Sequence, residues 1–129
     1  MMGINVTWGN PQKTVILQRF KDPWTVEEHR ASLLKIGEMV ASQPHTVHAI
    51  ADMTESGFAP ARMMVSTRVA ESVMQPNSGL LFIVQPTPVI KSIVTAARRF
   101  MPRVNSQLQV VATIDEARTI IEQYKPATR

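Results

Sequence analysis

Residues Val47 to Phe58 read VHAIADMTESGF. An apolar run gives way at Asp52 and Thr54 to a small polar turn containing Ser56 and Gly57. A second unit of the same kind, GLLFIVQP, spans Gly79 to Pro86, and a helical pattern follows each. Short strands that are apolar on both faces and alternate with helices predict an α/β sheet, with its working edge at the strand ends.

The same reading extends outward in both directions. Ile4, Val6 and Trp8 alternate with polar residues, as in a half-buried strand. Gly9-Asn10-Pro11 breaks that strand, and Thr14 to Phe20 pairs back on it as an antiparallel hairpin. Thr25 and Glu28 have capping-box spacing, in which each side chain satisfies a free backbone N–H. Behind them Val26, Leu33, Ile36 and Val40 form a helical stripe widened by Leu34 and Ala41, and Pro44 ends it. A second helix is expected just past Pro60, with Ala61, Val65, Val69 and Val73 inward. A third is expected to bury Ile90, Ile93, Val94, Ala97 and Met101. Leu108 to Ala112 is the last strand. Thr113 and Glu116 repeat the capping-box spacing before a final helix that turns Ala117, Ile120, Ile121 and Tyr124 inward. The expected order is ββαβαβαβα: one mixed sheet of about five strands with four helices, in a single domain over residues 1–129 with a short flexible tail after residue 125.

The totals exclude several classes of function. A chain of 129 residues, 44% hydrophobic and 19% charged, is an ordinary globular domain. The absence of cysteine rules out disulfides, zinc–thiolate sites and cysteine nucleophiles. No signal-peptide pattern and no apolar run of membrane-spanning length is present, so the expected location is cytoplasmic. The net charge of +4 is unevenly placed. Through Met64 six basic residues balance six acidic ones; from Val65 onward there are eight and four. Between Ser72 and Ile114 there is no carboxylate, while Lys91, Arg98, Arg99 and Arg103 are present. Two readings stand for that segment: a positive field for an anionic partner, or a solvated helix face.

Ala49-Ile50-Ala51-Asp52-Met53-Thr54, then Phe58, then a helix starting near Pro60, resemble the STAS domain family. That family includes the bacterial anti-sigma-factor antagonists and the cytoplasmic modules of sulfate transporters. The resemblance implies a regulatory or scaffolding module that binds a partner protein and has no chemistry of its own. Its contact face would be Ser56, Phe58, Arg62 and Met63. The family's phosphorylated serine falls here in the run Pro60, Ala61, Arg62 and Met63, which contains no hydroxyl. A looser similarity is to lipid-carrier domains of the Sec14 kind. Those domains add a pocket to a related sheet. The alternative function is a carrier or sensor holding an anionic small molecule or lipid at the strand ends near Pro86–Val89, aided by Lys91 and Arg98.

Individual candidates carry paired readings. Asp52 is a strand-end base or cation ligand, or a carboxylate that accepts N–H bonds from its own turn. Thr54 and Ser56 are relocated phosphorylation sites, or turn caps. His29, His45 and His48 do not have the spacing of a metal site, and His29 lies on the apolar stripe of the first helix. The five glycines are scattered, so no phosphate loop forms, and no nucleophile motif appears. The expectation is therefore no catalytic residue, no cofactor and no metal. Aromatic residues are 5% of the chain, and none is interleaved with the basic run, which argues against sequence-specific nucleic-acid binding. A homodimer stays open.

Overall fold

The structure is a computed structural model that describes residues 3–56, 65–84 and 107–124. Strands β1 (Ile4–Trp8) and β2 (Val15–Lys21) form an antiparallel hairpin, and helix α1 (Val26–Ala41) follows. Strand β3 (Val47–Glu55), the short helix α2 (Thr67–Ser72), strands β4 (Ser78–Val84) and β5 (Leu108–Val111), and helix α3 (Ile114–Gln123) complete the described elements. The five strands form one sheet in the order β1-β2-β3-β4-β5, parallel from β2 onward.

The α/β class and mixed sheet agree with the sequence; the helix count needs correction. Three helices stand among the described residues rather than four. The helix expected through Ile90 to Met101 lies outside those residues, as do the Pro60–Met64 part of the second helix and the tail.

Alternation along the strands sends side chains to two helical layers. Val6 and Ile16 turn to α1 and pack with Ile36, Val40 and Val47. Val15, Leu17, Ile50, Phe82, Val84 and Val111 turn the other way and pack against Ala117, with Ile114, Ile120 and Ile121 alongside. The middle strands therefore need apolar residues at successive positions. β2 meets that need with Val15, Ile16 and Leu17, all buried.

Helix α1 begins on the expected capping box. Thr25 Oγ1 accepts the Glu28 N–H at 3.0 Å, and Glu28 Oε1 accepts the Thr25 N–H at 2.9 Å. The other Glu28 oxygen accepts the Gly3 N–H at 2.7 Å, so the cap also fastens β1. These backbone bonds, first from Gly3 and then from Thr25, hold the Glu28 carboxyl below its usual range. The buried stripe differs from the expected one: it consists of His29, Ser32, Ile36, Gly37 and Val40, while Leu34 is 54% exposed. The cause lies in the strand beneath. Gln18 is buried and donates from Nε2 to Ser32 Oγ at 2.8 Å, so the helix turns a serine inward to satisfy it. The helix closes against Asn77, whose Nδ2 lies within 3.0 Å of the Val40, Gln43 and His45 carbonyl oxygens.

The entry to α2 also departs from expectation, at its N-cap Ser66 and the residue before it. Val65 is 52% exposed, and its neighbour Ser66 is buried instead. Val73 packs where Gly37 lets the two helices approach: a Cβ on Gly37 would lie 2.9 Å from the Val73 Cβ. At α3 the second capping box is only half formed. Thr113 Oγ1 accepts the Glu116 N–H, but the Glu116 carboxylate takes the Ala112 N–H instead of that of Thr113.

Candidate functional site

The end of β3 and the β2–α1 turn form one connected corner. Register sets Arg19 beside Asp52 and Lys21 beside Glu55. The chain then turns at Asp22 and Pro23, joined by a cis peptide bond, before Trp24 enters the core. Ser56, the last described residue after β3, bridges both segments. Its hydroxyl accepts the Trp24 indole N–H at 2.9 Å and donates to Asp22 Oδ1 at 3.1 Å. The Ser56 N–H donates to the Met53 carbonyl, which closes the turn.

Asp52 behaves as the turn reading expects. Its Oδ1 accepts the Thr54 N–H at 3.0 Å and the Thr54 hydroxyl at 2.8 Å. Thr54 is exposed, whereas Ser56 is 8% exposed with its hydroxyl committed to the corner. The two hydroxyls proposed as modification sites thus occupy opposite environments. A phosphate on Thr54 would sit against the Asp52 carboxylate, and one on Ser56 would displace the Trp24–Asp22 bridge. Phe58, Arg62 and Met63, expected on the contact face, lie outside the described residues, as do Lys91 and Arg98.

Beneath the corner lies an aromatic cluster. Phe20, Trp24 and His29 meet edge to face, with ring centroids 5.3 to 5.6 Å apart. His29 Nδ1 is buried with no hydrogen-bond partner, and burial pushes the ring's pKa down to about 4. On the opposite sheet face, burial likewise lowers the pKa of His48. There Nδ1 accepts the Leu80 N–H at 2.9 Å, a bond that only an unprotonated Nδ1 can make. Tyr124 stacks on that ring edge to face, and Gly79 lies so close that a Cβ there would come within 2.5 Å of Nδ1. His45 points elsewhere, with Nε2 2.9 Å from the Lys13 carbonyl oxygen. The three histidines therefore occupy three separate sites. No group of three metal-ligating side chains is assembled among the described residues.

The sequence pointed to Asp52, Thr54 and Ser56 but not to Asp22, Trp24 and His29 as their support. Trp24 and Ser56 are 32 residues apart, and no local pattern announces a hydrogen bond over that distance. The one usable signal was His29 on an apolar stripe beside a tryptophan that introduces the helix.

No family model matches the chain, and no curated protein matches it. Among solved structures, it is similar to the anti-sigma factor antagonist SpoIIAA in its unphosphorylated form. The identity is 15% and the TM-score 0.51, and the match covers 95% of this chain and 99% of that one. The likeness establishes a STAS-like fold. No helix among the described residues is long and apolar enough to cross a membrane.

Two predictions follow from the corner and the layers below it. Ser56→Ala should lower unfolding stability by about 1–3 kcal/mol, since it removes a hydroxyl shared by two neighbours; urea denaturation followed by tryptophan fluorescence measures this. Protonation should also destabilise the fold. Each buried histidine binds its proton more weakly when folded than when unfolded. Stability is therefore complete above the unfolded pKa of roughly 6.5 and declines as pH falls below it. For His29 the decline runs toward about 4. Between about pH 6.5 and 5 the loss for His29 should approach ~1.4 kcal/mol per pH unit, and His48 adds a loss of the same sign. His29→Phe should remove one histidine's share of that slope, as read from urea midpoints across the pH series.

Proposed function

We propose that this chain is a non-catalytic regulatory or scaffolding module that docks a partner protein through the turn after β3 and the start of the following helix. The observation that carries this reading is the corner itself. Ser56 is tied to Trp24 and Asp22 at the point where the chain leaves β3, so the next residues start from a fixed base. The likeness of the whole fold to an anti-sigma factor antagonist supports the same assignment.

In this reading Ser56 supports the face from beneath. Phe58 supplies the apolar anchor, Met63 adapts to the partner's surface, and Arg62 orients the complex by charge. The run Pro60, Ala61, Arg62 and Met63, on which the family's switching serine falls, contains no hydroxyl, so in this reading partner binding runs without that serine. Thr54 is the more accessible of the two hydroxyls proposed for modification.

Affinity capture from the native cell with the full chain as bait, read by mass spectrometry, tests the assignment. A partner recovered with the unaltered chain should be lost, about tenfold or more, with both Phe58→Asp and Arg62→Glu while the melting temperature holds. Partners that stay bound to both variants would show that the contact face lies elsewhere.

A further inference from the structure

Strand β1 is an edge of the sheet, and among the described residues no strand pairs with its outer side. The bonds from the Gly9 N–H to Val15 and from the Lys21 N–H to Gly3 fix which residues face β2. In an antiparallel pair these positions alternate, so Asn5 and Thr7 also bond inward. The N–H and C=O groups of Ile4, Val6 and Trp8 therefore point away from the sheet. Among the described residues, no hydrogen bond beyond the β1–β2 ladder reaches them.

Exposed edges are usually guarded by charge, proline or a bulge, because a bare ladder invites another strand. Within its own five residues β1 has none of these devices; one charge stands beside its end, Lys13, whose Nζ lies 6.0 Å from the Trp8 ring centroid. The strand pairs with β2 continuously through all five residues, without a register shift. No charged residue occurs before Lys13, and the nearest proline, Pro11, lies beyond the strand in the hairpin turn. The side chains along the edge are already arranged: Ile4 and Val6 are buried under α1, and Asn5 and Thr7 are exposed on the other face.

We propose that β1 is a homodimerisation edge, pairing antiparallel with β1 of a second copy to join the two sheets into one. Centred on Val6, the pairing sets Val6 against its own counterpart and Ile4 against the second copy's Trp8, so every outward N–H and C=O gains a partner. Asn5 then faces Thr7 of the partner subunit in a non-hydrogen-bonded pair, where Cα atoms approach to about 4.5 Å. β1 carries no charge of its own, so pairing with its own copy sets no like charges opposite each other along the ladder. A second copy is thus the occupant this edge suits best.

Sedimentation velocity of the full chain over a dilution series tests the proposal, with Asn5→Lys/Thr7→Lys as the comparison. Both substitutions lie on the exposed face, and in the pairing each new lysine would face another across the axis. The unaltered chain should sediment as a dimer that dissociates on dilution. The double variant should dimerise ~tenfold or more weakly, while its far-ultraviolet circular dichroism remains that of the folded chain. Hydrogen exchange adds a local readout: the Ile4, Val6 and Trp8 amides should be slow in the dimer and fast in the variant. A chain that is monomeric at every concentration overturns the proposal. So does a dimer that survives both substitutions, or one in which those three amides exchange as fast as in the monomer; in the latter cases another surface or another strand-like partner would be the occupant.

Discussion

The indole N–H of Trp24 is buried, and Ser56 supplies its acceptor. A tryptophan of that size in the core requires a partner for its one polar atom. Meeting the requirement draws the end of β3 against the β2–α1 turn. The Asp22 carboxylate, bonded to the same hydroxyl, adds a second tie. Phe20 and His29 then complete the ring cluster under α1. Sheet, first helix and strand-end turn therefore share one anchor, and the strand end inherits its rigidity from the core.

Neutrality has to be kept on both sides of the sheet. His29 on one face has an unpartnered nitrogen among aromatic rings, and His48 on the other has an acceptor committed to Leu80. In both, burial disfavours the charged ring. Gly79 leaves the room His48 needs, just as Gly37 leaves room for Val73. These are constraints of fit rather than of chemistry, in keeping with a domain whose described polar groups mostly satisfy one another.

Much of the architecture was legible because it is written locally. Thr25 and Glu28 announced the first helix through spacing alone, and the alternation at Ile4, Val6 and Trp8 announced the hairpin's outer strand. Asp52 and Thr54 marked the strand end and do hold each other there. The errors arose where a distant partner overrode the local pattern. Apolarity places Leu34 in the core, but the buried amide of Gln18 draws Ser32 inward instead. Periodicity places Val65 inward, yet the residue buried before α2 is its N-cap, Ser66. The Glu116 carboxylate was expected to bond Thr113 and instead bonds Ala112. The Trp24–Ser56 bond, which matters most for the site, spans 32 residues and has no local signature.

Hydrogen exchange at the two indole N–H groups, followed by NMR, tests the anchor most directly. If the corner is held as described, the Trp24 indole proton exchanges only through global unfolding, while that of half-exposed Trp8 exchanges freely. Equal and fast exchange at both would mean that Ser56 does not hold Trp24, and that the turn after β3 lacks the fixed base on which the docking role rests.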